Sequence, residues 1–95
     1  MEKDIQFPDR QAKRDNGIWF QAVVDGTNTN CSISDEFIDQ FIREDSVESY
    51  LDIFINKKDI INKLAEYKIK NNLCDKDGNI SISVEHDVEI IDKVF

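Results

Sequence analysis

In the first half of the chain, the spacing of the hydrophobic residues changes from that of strands to that of a helix. Ile18–Val24 places apolar side chains on both faces of a strand, which is typical of a central position in a sheet. Asp25 and Gly26 form a strong hairpin signal, and Thr27–Ile33 returns as a second strand with one polar face. Ser34 then caps a short helix in which the apolar spacing becomes helical. The pattern predicts strand, tight turn, strand and helix.

The flanking segments are more polar. Ile5–Phe7 alternates as a short edge strand that Pro8 ends, and Asp9–Asn16 is so rich in charge that it predicts an exposed loop. Helical spacing runs from Ser46 to about Lys70, and the pattern leaves open whether this is one kinked helix or two.

The C-terminal part returns to period two. Asn79–Glu85 alternates cleanly and predicts a half-buried strand, whereas residues 86–95 fit either another strand or a short terminal helix. We therefore expect residues 1–95 to form a single α+β domain with two layers. Its antiparallel sheet would have three to four strands, in β-β-β-α-α-β order, covered on one face by helices.

Several short motifs occur in a characteristic order. They are the I-x-F-P-D-R run at Ile5–Arg10, the hairpin at Ala22–Gly26, the segment Cys31–Ser34, the positions Phe54, Asn56, Ile60 and Ala65, and the D-x-D-G-x-I-x-I run at Asp75–Ile82. Together they resemble the small bacterial domain-of-unknown-function family 1488 over roughly residues 5–84. The resemblance implies an α+β fold of this size and implies no reaction, cofactor or site.

Charge narrows the classes of partner. The net charge is −8, and residues 25–56 alone hold eight acidic side chains and one basic. This balance argues against direct binding to nucleic acid or to an anionic membrane, because both need basic surface. If a protein partner exists, the acidic balance favours a basic one. No apolar run approaches the length of a membrane span or a signal sequence, so we expect a cytoplasmic protein.

Residues with catalytic or metal-binding potential are few. Asp75, Asp77 and Asn79 match the start of a calcium loop, but isoleucine stands where the loop needs glycine, so a polar turn is favoured. Cys31 and Cys74 are too few and too scattered for a zinc site or a defined nucleophile. The sequence thus predicts no catalytic residue, metal or cofactor, and a protein that is not an enzyme.

The predicted binding surface has two parts. Trp19 and Val23 lie on the second face of the best strand, where an exposed tryptophan would serve a partner or a homodimer. The other part is acidic and consists of Asp35, Glu36, Asp39, Glu44, Asp45, Glu48 and Asp52. We expect a non-catalytic interaction or accessory domain that binds a basic protein. The alternative is a nucleic-acid mimic that inhibits a nucleic-acid-binding host defence protein, of the anti-CRISPR or anti-restriction type.

Overall fold

The computed structural model describes residues 4–42 and 49–94, and within them five strands form one sheet. The strands are β1 (Ile5–Gln6), β2 (Gln11–Lys13), β3 (Gly17–Val24), β4 (Thr27–Ser34) and β5 (Ile80–Ile82). The helices are α1 (Asp35–Phe37, continued by a π-helical segment, Ile38–Ile42), α2 (Tyr50–Asn56), α3 (Lys58–Lys70) and α4 (Val84–Val94). The α+β fold class predicted from the pattern is confirmed.

The sheet is mixed rather than wholly antiparallel. Strands β1 and β2 both pair with β3, which pairs with β4, and all these pairs are antiparallel. Strand β5 lies beside β4 and parallel to it, with Cys31 opposite Ile80 and Ile33 opposite Ile82. The expected antiparallel direction of the last strand was wrong, because α2 and α3 form a crossover between β4 and β5, as parallel pairing requires.

Two glycines are required where β3 begins and ends. Gly26 has φ +83° and Asp25 has φ +52°, which are the positive values that a tight hairpin turn needs at both central positions. Gly17 lies so close to β4 that a Cβ there would clash with the backbone carbonyl of Ile33. The hairpin register therefore depends on local backbone chemistry at both ends of the strand.

The core lies between the sheet and the helices. Ser34 caps α1 by accepting a hydrogen bond from the Phe37 amide at 3.1 Å, and this cap directs the chain under the sheet. The rings of Phe20 and Phe54 meet at 5.2 Å between centroids. The strands and helices together bury Ile18, Phe20, Ala22, Cys31, Ile33, Phe37, Ile38, Ile42, Ile53, Phe54, Ile61, Leu64, Ala65, Ile69, Ile80, Ile82 and Ile90.

The structure corrects the prediction for one segment and decides between the open alternatives for two others. The predicted loop before Gly17 contains β2, because polar residues at an edge still satisfy their backbone groups against β3. Two helices, not one, occupy residues 50–70, and they meet at Lys57, whose φ of −110° is not helical. The last strand ends at Ile82, two residues after it begins, and the chain continues as helix α4.

Candidate functional site on the open face of the sheet

The sheet presents its second face without the apolar character of the first. Cross-strand pairing places one set of alternate residues on this side. We call it the open face, and it consists of Gln6, Ala12, Trp19, Gln21, Val23, Asn28, Asn30, Ser32 and Ser81. All of these except Gln21, which is 8% exposed, are exposed or half-exposed. Trp19 and Val23, predicted as binding residues, therefore share one surface.

Trp19 lies at the centre of a small polar network. Its indole Nε1 donates a hydrogen bond to Asn30 Oδ1 at 3.2 Å across the β3–β4 pair. The Arg14 guanidinium lies over the indole ring, 5.9 Å from the ring centroid. These contacts hold the half-exposed ring in place, and a positioned aromatic side chain loses little entropy when it binds.

The open face differs in charge from the rest of this acidic chain. None of its nine strand positions is a carboxylate. Arg14 reaches over it from the end of β2, and strand alternation extends to the same side at Arg10, whose carbonyl accepts a hydrogen bond from the Gln21 amide. Carboxylates lie at the ends of the face. Asp15 and Asp25 are in the two turns, and alternation from Gln6 places Asp4 on the same side, where its amide donates a hydrogen bond to Asp25 Oδ1.

A groove of about 660 Å³ lies at the Trp19 end of this face. Its lining includes Arg14, Trp19 and the hydroxyl-bearing residues Ser32, Ser34 and Ser81. Such a volume falls within the usual range for ligand sites, roughly 300–1,000 Å³. The groove combines an aromatic ring and several hydroxyl groups with two cationic residues, Lys13 and Arg14, and one carboxylate, Asp15.

The edge of the sheet beside this groove is covered. Lys68 of α3 donates its ammonium to the carbonyl of Ser81 in β5, and it also pairs with Asp87 of α4 at 2.7 Å. Asp87 in turn accepts a hydrogen bond from the Ser83 amide at 2.7 Å. These groups cover the β5 edge, so a partner strand cannot pair with it. The face of the sheet remains accessible to a partner.

The predicted acidic part of the surface is described at four positions. Asp35 pairs with Lys13 at 2.8 Å, Glu36 accepts from Gln40 at 3.2 Å, and Asp39 accepts from the Tyr50 hydroxyl at 2.7 Å. Asp52 is exposed on α2. These residues follow the end of β4 or lie on a helix, so they do not join Trp19 and Val23 on the open face.

The other three predicted acidic residues, Glu44, Asp45 and Glu48, lie outside the described residues.

The cysteines occupy contrasting places. Cys31 is 1% exposed, and its burial raises the pKa of the thiol to about 12, so the thiolate nucleophile is not available near neutral pH. Cys74 lies in the exposed segment between α3 and β5. In the same segment, Asp75 Oδ1 accepts hydrogen bonds from the amides of Asp77 and Asn79, both at 2.9 Å. The carboxylate thus stabilises the polar turn that the sequence favoured.

Two wider features complete the description. Among the residues whose side chains the structure describes, 4–42, 49–84 and 87–94, no three His, Cys, Asp or Glu side chains cluster as a metal site would need. In this described part of the chain, no helix has the length and apolar character needed to cross a membrane.

The sequence pattern does not identify two residues of the site. It places Arg14 in a loop, and Asn30 is one polar residue among several on β4. Strand alternation from Ala12 together with the β2–β3 register would have placed Arg14 beside Trp19, but only after β2 was recognised.

Comparison with known proteins places the chain among proteins without assigned activity. A family model described as "Protein of unknown function (DUF1488)" matches residues 5–82. A crystal structure of a DUF1488-family protein of unknown function from Shewanella loihica PV-4 is similar with a TM-score of 0.74 and 22% identity. The match covers 86% of this chain and 94% of the other. No curated protein matches the chain.

Proposed function

The chain belongs to the DUF1488 family, whose function is unknown, and we propose that it is a non-catalytic interaction module that binds a protein partner through its open face. The observation that carries the proposal is the half-exposed Trp19, held by Asn30 and Arg14 on a face that the helices leave uncovered. Tryptophan is among the residues that most often dominate binding energy at protein interfaces.

The shape of the surface supports a macromolecular partner. Strands β3 and β4 are eight residues long, so the face extends for about 26 Å at about 3.3 Å per residue. The groove at the Trp19 end gives this otherwise flat face a place for an inserted side chain. The proposal also includes a cytoplasmic location, in which the thiols of Cys31 and Cys74 stay reduced.

The acidic segment remains the rival binding surface. A basic partner there, or mimicry of nucleic acid, needs carboxylates that are available to an incoming cation. Asp35 is paired with Lys13, and this contact counts against the alternative. Glu36 and Asp39 are exposed and accept hydrogen bonds from the neutral groups of Gln40 and Tyr50. The mimicry hypothesis stays a prediction.

Site-specific photocrosslinking in bacterial cells tests the proposal. A photoreactive residue replaces Val23 on the open face or, as the matched control, Val88, which is 42% exposed on α4. We expect a discrete protein adduct from position 23 that disappears when Trp19→Ala is added, and none from position 88. Equal adducts at both positions, or none at position 23, would contradict the proposal.

A further inference from the structure

We propose that the segment bound at the open face is acidic, so that the partner has the opposite sign from the one that the net charge of the chain suggests. This inference rests on the proposed function, because it names the chemistry of the partner at the same surface. Among the described residues, the strand positions of the open face are neutral, and strand alternation places Arg10 and Arg14 on its side. The carboxylates nearest to this face lie at its ends.

The charges around the groove support this sign. Lys13 is compensated by Asp35 at 2.8 Å, whereas the exposed Arg14 lies over Trp19. A guanidinium that lies over an aromatic ring at this distance keeps its N–H donors for a carboxylate. A carboxylate side chain that enters the groove would meet Arg14 and the hydroxyls of Ser32 and Ser81, and it would approach on the side away from Asp15, which also lines the groove.

The remaining side chains of the face suit a peptide backbone. Asn28 and Asn30 are exposed amides. The Asn28 amide offers both donors and an acceptor, as a peptide bond does, and Asn30 offers its donors while its oxygen accepts from Trp19. Trp19 offers an apolar surface for a neighbouring side chain of the bound segment. The face therefore has complements for the backbone, the acidic groups and an apolar group of one extended segment.

The balance of charge favours a peptide over a nucleic acid. A single strand of nucleic acid carries a charge at every phosphate, and a chain of net charge −8 repels such a polyanion along most of its length. A short acidic segment brings only a few charges, which Arg10 and Arg14 can balance. The arginines also disfavour a symmetric dimer in which the open faces of two copies meet, because each face would present the same cations to the other.

The emission of Trp19 tests the inference directly, because it is the only tryptophan in the chain. Three probes are titrated: a peptide that alternates glutamate and phenylalanine and is as long as β3, eight residues; the same peptide with lysine for glutamate; and octathymidylate. We expect a saturable change in Trp19 emission only with the glutamate peptide. The affinity for this peptide should fall as the salt concentration rises.

The matched variants are Arg14→Gln and Lys63→Gln, the latter at an exposed position on α3. Arg14→Gln should weaken the glutamate peptide about tenfold, as expected for a lost charge-assisted hydrogen bond, while Lys63→Gln should not change it. Far-UV circular dichroism and thermal unfolding identify any variant that has lost its fold. For a folded Arg14→Gln, unchanged affinity overturns the inference, as does tighter binding of the lysine peptide or of octathymidylate.

The crosslinked partner separates this inference from the function on which it rests. If the peptide attached to position 23 is acidic, both stand. If it is basic, the open face is a binding site and only the inferred sign is wrong. If position 23 gives no adduct, the proposed function itself fails.

Discussion

The two faces of the sheet are built from alternate residues of the same strands, yet they have opposite character. On the covered face, Phe20 is 2% exposed and contacts Phe54, and neighbouring positions are isoleucine, alanine and cysteine. On the open face, Trp19 is half-exposed among amides and hydroxyls. The covered face holds the hydrophobic core. We expect the open face to contribute less to stability, which leaves its composition available for binding.

Truncation on the covered face should give the largest effect. Phe20→Ala removes a ring that packs between Phe7 and Phe54. It leaves a cavity, because the surrounding helices relax only partly into the space. We expect the free energy of unfolding to fall by about 3–5 kcal/mol, measured by urea denaturation. A loss below about 1 kcal/mol would show that the two faces do not differ in stability as the burial indicates.

Removal of one charge from the buried ion pair should give the next largest loss of stability. Asp87 and Lys68 have side chains only 4% and 8% exposed, so Asp87→Asn leaves a buried ammonium without its counter-ion. We expect a loss of about 3 kcal/mol, at the low end because the amide oxygen can still accept from Ser83. The control is Glu66→Gln, in the exposed pair with Lys70, which should cost about 0.5 kcal/mol or less.

The buried thiol on the covered face predicts a dependence on pH. The pKa of Cys31 is raised by burial from 9.0 to about 12 in the folded chain. Between these values the unfolded chain loses the proton while the folded chain keeps it. The free energy of unfolding should therefore fall as pH rises through this window, by up to about 1.4 kcal/mol per unit.

Urea denaturation at several pH values, compared with Cys31→Ala, measures this contribution. The variant shifts the absolute stability because it leaves a small cavity, so the slope with pH is the relevant quantity. An equal slope in both proteins would contradict the prediction. A thiol reagent at neutral pH should also label only Cys74, which is exposed, until denaturant is added.

The smallest effect on stability is expected on the open face. Trp19→Ala removes one hydrogen bond to Asn30 and the contact with Arg14, both near solvent. The free energy of unfolding should change by no more than about 1 kcal/mol, whereas the crosslink at position 23 should be lost. A loss as large as that of Phe20→Ala would mean that Trp19 is a core residue and would remove the basis of the proposed function.

The sequence by itself determined the elements that depend on local chemistry. Period two marked β3 and β4, Asp25 and Gly26 marked the hairpin, and Ser34 marked the helix cap, because each of these preferences acts over a few residues. Family resemblance followed from the same short motifs and is confirmed over residues 5–82. Trp19 was also assigned correctly to the face opposite Phe20.

Only the tertiary structure decided what is brought together across long separations. The direction of β5 depends on the end of the sheet to which the crossover helices return the chain, and no local pattern specifies this. Strand β2 forms because β3 satisfies its backbone, and it brings Arg14 over Trp19. Lys68 lies in the last turn of α3, and folding buries it against Asp87 from another helix. The sign of the charge around Trp19 is set by these contacts, because the net charge of a chain does not determine the charge of any one face.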